Sequence, residues 1–452
     1  MREDVTIKRS SFRPVATLLG ALVLAVVALV PAARAIEVDR VITPRGLEAW
    51  LVADDTNPMV TLTFAFDGGA ALDPPGKAGL AHLVSGLLDE GAGDLDSRAF
   101  QHRLADLAIE MSFDAGRDSF SGTVKTLTEN LDEAVELLSL ALRAPRFDAD
   151  AVERMRAQIL AGLRYTENDP NEIARRAWYQ TLFPEHPYGR DPAGTAETIA
   201  AIDQDDLRAF ARGHLVRDRL AIGVAGDVTP ERLAALIDEA FGDLPETSDL
   251  PAVPDIVARA DGRTVVIERP VPQSVAMFGH AGLARSDPDW YAAYVVNYIL
   301  GGGGFASRLV EEVREARGLA YSVYSYLVPL DHAPVWMGGV ATNNARVTES
   351  LSLIQEEWRR MADAGPTAEE LADARTYLTG AWPLRFSSTG SIAAILVAMQ
   401  REGLSPSYLN DRNDYIEAVT LEDARRVAAR LMDPAALTTV VVGQPDGLVS
   451  SN

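Results

Sequence analysis

The sequence predicts an α+β fold of two homologous domains, each a mainly antiparallel sheet covered by helices. Its 452 residues exceed a single core at about 150 residues per domain, and a hydrophobic fraction of 47% suits folded domains. The chain follows one plan twice, and the closing strands of the two copies align Gly223 with Val440. Within each copy, strands and helices come in runs rather than strict alternation, which disfavours a doubly wound parallel sheet. Two unrelated α+β domains would not share this order.

Residues 1–35 read as a secretory signal peptide. Arg2, Lys8, Arg9 and Arg13 precede the apolar run 15–30, which ends at the small-x-small site Ala33-Arg34-Ala35. The alternative, a membrane anchor, needs about 20 apolar residues, more than this run offers. Cleavage after Ala35 and a periplasmic or otherwise secreted location are the expectation. The remainder carries 37 basic against 63 acidic residues, a net charge of −26, which disfavours nucleic acid and anionic lipid as partners. Absence of cysteine rules out disulfides and thiolate metal sites, and fits an oxidising compartment. No later stretch is apolar and long enough to span a membrane.

The first domain is expected over 36–245, a linker over 246–262 and the second domain over 263–452. Three prolines and scattered acids in PETSDLPAVPDIVARADG, from Pro245, mark the linker. The copies open with the strand-like runs TLTFAFDGGA at Thr61 and SVAMFGHAGL at Ser274. Apolar helices follow, Leu80 to Leu88 and Trp290 to Leu300, then alternating strands. Helix pairs begin at Pro145 and Gly365. Each copy closes with an acidic-start helix and a β-branched strand, from Ala201 and from Ala418.

The helix in GLAHLVSGLLDEG is the frame of a zinc helix without its ligands. An inverted zinc motif, H-x-x-E-H, puts two imidazoles one turn apart so that both reach the metal, with Glu polarising the bound water. Here His82 holds the first ligand position, Ser85 that of the Glu and Gly86 that of the second His. The surroundings resemble the opening zinc helix of the pitrilysin-type metallopeptidases, family M16. The resemblance implies a third ligand, a Glu, well downstream in a helix reading roughly E-R-x-x-V-x-x-E-E. This chain offers Glu153-Arg154 and then Ala161-Gly162 at the Glu positions. One His cannot hold catalytic Zn²⁺, which takes three protein ligands and a water. No two of the six histidines are four apart, so no metal is expected on this chain and His82 reads as a helix-face residue with ordinary hydrogen bonds.

The second copy keeps GGGGFASRLVEEVREARGLAYSVYSYL from Gly301. Leu309, Val313 and Ala316 recur at helical spacing, and Gly318 marks the stop. A strand then begins at Tyr321, with Tyr321, Val323 and Ser325 on one face and Ser322, Tyr324 and Tyr326 on the other. The run Gly301, Gly302, Gly303, Gly304 lacks the Lys-Ser/Thr of a phosphate loop. It is expected to be a flexible lead into the helix and a peptide-contact loop. Arg314 and Tyr321 match an Arg and a Tyr that the family carries at this spacing. The resemblance implies that they reach across a chamber to substrate at the zinc; a guanidinium and a phenol suit a peptide carbonyl and its oxyanion.

The resemblance extends over residues 36 to about 445 and fails at the metal site. It implies the non-zinc subunit of a heterodimeric metalloendopeptidase, acting on unfolded peptides, with Zn²⁺ in a homologous H-x-x-E-H partner and this chain inactive alone. Two readings stand beside it. One is an inert scaffold or peptide-binding protein of the same fold; the other, a homodimer using another metal, has no visible ligand set.

Overall fold

The computed structural model describes residues 36–451; the signal peptide expected at 1–35 and its cleavage site lie outside them. The first half contributes β1 (Asp39–Ile42), β2 (Glu48–Ala53), β3 (Met59–Asp67), β4 (Gly91–Ala92), β5 (Leu95–Asp96), β6 (Glu110–Ala115), β7 (Ser119–Leu127) and β8 (Leu220–Gly226). The second contributes β9 (Thr264–Glu268), β10 (Gln273–Ala281), β11 (Ala320–Val328), β12 (Val335–Asn343) and β13 (Thr438–Gly443). Sheet order is β1-β2-β8-β3-β7-β6 in the first half and β11-β12-β10-β13-β9 in the second, with β4 and β5 a separate small ladder.

All pairings are antiparallel except β2 with β8 and β9 with β13. Each sheet therefore places its one parallel pair at the same topological position, which is the duplication in three dimensions. The numbering agrees. Helices Gln204–His214 and Leu421–Leu431 keep the offset of Gly223 from Val440, and each starts from a capping box, Asp203/Asp206 and Thr420/Asp423. Gly226 and Gly443 end the matching strands at φ +132° and +154°, where a side chain would strain the backbone.

Between the halves, residues 247–263 contain no helix or strand. The halves nonetheless trade helices. Helix Pro170–Leu182, from the first half, packs on β10 and β13 of the second. There Trp178 is fully buried and donates Nε1–H to the Thr438 carbonyl at 3.1 Å. In return, helix Thr389–Arg401 packs on β3 and β8. Its Gln400 side chain donates to the Ile222 carbonyl at 2.7 Å and accepts from the Ile222 N–H at 3.3 Å. Arg401 pairs with Asp67 at 2.9 Å and Asp331 at 3.2 Å.

This exchange explains why β3 and β13 are buried along both faces. One face of each sheet meets its own half's core, around Phe64 and Leu138 in the first and Trp336 and Trp358 in the second. A third core, Trp178, Tyr179, Phe183 and Tyr188 against Met277 and Val440, lies between first-half helices and the second sheet. No helix among the described residues is long and apolar enough to cross a membrane.

Candidate functional site

Helix Leu80–Ser85 is shorter than the Leu80–Leu88 run predicted, stopping at Gly86. It is anchored by Asp73, a buried residue whose carboxylate accepts the N–H groups of Gly79 (2.8 Å), Leu80 (3.1 Å) and Ala81 (3.0 Å). These are orphan amides of a helix start, and the negative charge meets the positive helix end. Burial pushes the Asp73 carboxyl up to about 6, against the pull of those N–H groups and of Arg190.

The helix forms one wall of a cleft of ≈ 510 Å³. Helix Ala149–Thr166 forms another, and together they bring His82, Ser85, Gly86 and Gly162 to one place. The vacated positions are thus neighbours in space, and of Ala161 and Gly162 it is Gly162 that faces the cleft. The donor chemistry does not fit a metal. Ser85 Oγ donates to the His82 carbonyl at 2.9 Å, while Gly86 and Gly162 have no side chain. No group of three or more His, Asp or Glu able to hold a metal occurs among the described residues.

The two glycines differ in what surrounds them. A Cβ at Gly162 would meet nothing within 4 Å. A Cβ at Gly86 would lie 2.7 Å from Met155 Sδ and 2.9 Å from its Cε. Met155 therefore occupies the space beside the second ligand position. His82 departs from expectation: among the described residues its imidazole has no hydrogen-bond partner, because it faces the open cleft.

Further along, the cleft is lined by Glu172 and Arg175 of helix Pro170–Leu182. Arg175 pairs with Glu172 at 2.6 Å and Asp191 at 3.7 Å, and Arg176 with Asp191 at 3.7 Å. These paired charges tie Glu172 and Asp191 to arginines of the same wall, which leaves Asp114 as the cleft carboxylate without an ion pair among the described residues. Glu172 and Arg175 also border a second cavity of ≈ 200 Å³, whose far side is Ser322, Tyr324 and Tyr326 of β11. The two tyrosine rings stack at 5.9 Å. Alternation marked Tyr324 and Tyr326 as one face of β11. Nothing in the sequence tied them to Glu172 and Arg175, because the helix exchange creates that neighbourhood.

Arg314 and Tyr321 line neither cavity. They form a separate cluster with Phe305, a residue that sequence reasoning passed over. The Arg314 guanidinium lies 4.5 Å from the centre of the Phe305 ring and 4.9 Å from that of Tyr321. Its Nε also meets Glu315 at 3.2 Å. Phe305 is 69% exposed and Tyr321 82%, so both rings face outward with the cation between them.

Three local expectations are corrected here. Tyr321 does not share a face with the buried Val323 and Ser325, because a bulge between Ala320 and Ser322 turns it out. The helix bearing Arg314 is a π-helical turn over Val310–Glu315 rather than an α-helix, closed by the Ala316 N–H to Glu311 carbonyl bond. Gly318, at φ +59°, ends the segment as predicted. The glycine run is not a flexible lead. Gly301 and Gly302 belong to the π-helical segment Tyr298–Gly302, and Gly304 begins a 3₁₀ turn, Gly304–Ala306. Gly301 is buried, and a Cβ there would sit 2.5 Å from Ser325 Oγ, so its role is close packing on β11.

Comparison with known proteins agrees with this geometry. Residues 49–196 match the family described as Insulinase (Peptidase family M16), and residues 201–378 match the Peptidase M16 inactive domain. The non-peptidase homolog YmxG of Helicobacter pylori is 30% identical over 335 residues, covering 74% of this chain and 77% of that protein. The chain belongs to peptidase family M16. An uncharacterized zinc protease of Streptomyces coelicolor is 29% identical over 406 residues, 86% of each chain. The crystal structure of a peptidase M16 inactive domain from Pseudomonas fluorescens superposes with a TM-score of 0.84 at 28% identity, covering 92% of this chain and 99% of that one. The M16 fold is therefore intact here, and among the described residues no group of three or more His, Asp or Glu could hold a metal.

Proposed function

We propose that this M16 chain is the non-zinc subunit of a heterodimeric, periplasmic metalloendopeptidase, and that Arg314 and Tyr321 serve the active site of a zinc-bearing partner. The observation that carries the reading is the outward-facing Phe305–Arg314–Tyr321 cluster. Its cation is oriented by two rings and one exposed carboxylate neighbour, while the described residues of its own chain offer no metal centre to serve. A guanidinium and a phenol held this way are donors for a peptide carbonyl and for the oxyanion formed when water adds to it. The periplasmic location rests on the signal-peptide pattern of residues 1–35.

The test is cleavage of an unstructured fluorogenic peptide by this chain, by an H-x-x-E-H relative from the same organism, and by the two mixed, with metal content recorded. Activity confined to the mixture supports a split site. A stable complex that never cleaves peptide overturns the reading and favours the alternative, a non-catalytic scaffold or peptide-binding protein. The relative named a non-peptidase homolog speaks for that alternative.

A further inference from the structure

In the second half, away from the cleft, a cavity of ≈ 250 Å³ opens beside helices Trp290–Asn297, Thr389–Arg401 and Tyr408–Ala418. In a chain of net charge −23 its wall is basic, with Arg285, Arg385 and Arg412 against the single carboxylate of Glu402. The rest of the wall is largely aromatic, including Tyr294, Trp382 and Tyr408.

The three arginines are not equivalent. Arg285 is fully engaged: it pairs with Glu402 at 2.9 Å and donates to the hydroxyls of Tyr291 (3.2 Å) and Tyr408 (3.1 Å). Arg412 is only 5% exposed and donates to the Leu378 carbonyl at 2.8 Å and Asn413 Oδ1 at 3.2 Å. Its guanidinium lies 4.7 Å from the centre of the Trp382 ring and 5.7 Å from that of Tyr294. Among the described residues, no carboxylate lies within 4.0 Å of Arg412 or of the exposed Arg385. A buried cation without a counter-ion is costly, and neutral oxygens and ring faces offset only part of that cost. The cavity thus presents apolar walls and two positive charges that the protein itself leaves unpaired.

We propose that this cavity binds a small aromatic monocarboxylate, whose carboxylate meets Arg385 and Arg412 and whose ring lies among Trp382 and Tyr294. An apolar cavity of about 150 Å³ accepts benzene, so the larger volume here has room for a ring and its carboxylate. A second negative charge on the ligand would meet Glu402, which is why the class is a monoanion. Arginine forks suit carboxylates, and ring stacking supplies the apolar contact.

The test is calorimetric titration of the mature chain with phenylacetate, phenylacetamide and acetate at one fixed chloride concentration. The expected result is saturable 1:1 binding of phenylacetate, with phenylacetamide and acetate at least tenfold weaker. Arg385→Gln, at an exposed position that leaves the fold undisturbed, should weaken phenylacetate at least tenfold without moving the melting temperature of the free protein. Absence of saturable binding, or equal binding of either control compound, would overturn the proposal. So would an Arg385→Gln variant that binds phenylacetate as tightly as the parent.

Discussion

Restoring the second metal ligand, Gly86→His, should destabilise the protein before it does anything else. The new Cβ would stand 2.7 Å from Met155 Sδ, 2.9 Å from Cε and 3.2 Å from Cγ. Nonbonded heavy atoms prefer about 3.5–4.0 Å, so Met155 must swing away. Met155 is packed against the first-half core, and such overpacking costs about 1–3 kcal/mol, toward the lower end because methionine is flexible. In thermal unfolding of the interlocked halves this corresponds to a melting temperature lower by roughly 1–4 °C. The diagnostic assay is the double-mutant cycle with Met155→Ala. Gly86→His should cost less in the Met155→Ala background, by about 1 kcal/mol or more. Strict additivity, or a Gly86→His single variant as stable as the parent, would refute the claim that Met155 fills the ligand space.

Further predictions concern metal, catalysis, pH and the seam between halves. The set Ser85→Glu, Gly86→His and Gly162→Glu should take up stoichiometric Zn²⁺ only when Met155→Ala is included, as read by elemental analysis. Arg314→Ala and Tyr321→Phe should each lower turnover of the mixed enzyme by about 100-fold to 1,000-fold, the range for losing one oxyanion donor, with zinc content unchanged. Unchanged turnover in both would remove them from the mechanism. Buried His214 stacks on Phe210 at 3.8 Å, and burial pushes its imidazole down to about 4. Between pH 6.5 and 4 the unfolded chain therefore binds a proton that the folded chain does not. The His214 contribution to stability is complete above pH 6.5 and falls by about 3 kcal/mol as pH drops to 4, while Asp73, whose carboxyl is raised to about 6, contributes in the opposite sense over the same window. His214→Phe should flatten that part of the urea midpoint against pH curve. Arg401→Met, on the exchanged helix, cuts the pairs to Asp67 and Asp331 and should cost about 1–2 kcal/mol in urea unfolding.

The sequence by itself determined the duplication, because the elements recur in one order and the closing helix and strand keep one offset, as at Asp203 and Thr420 or Gly226 and Gly443. It also determined that Ser85, Gly86 and Gly162 offer no imidazole or carboxylate to a metal, wherever the chain places them. Tertiary structure decided the rest. Periodicity reports that a helix has an apolar face but not which sheet covers it, so the trade of Pro170–Leu182 for Thr389–Arg401 is invisible in one dimension. The same blindness hid Met155, which is far from Gly86 along the chain and comes beside it only through the way two helices cross. Tyr321 failed for a smaller reason. A bulge adds one residue to a period of two, and one residue is enough to turn a side chain from the inside of a sheet to the outside.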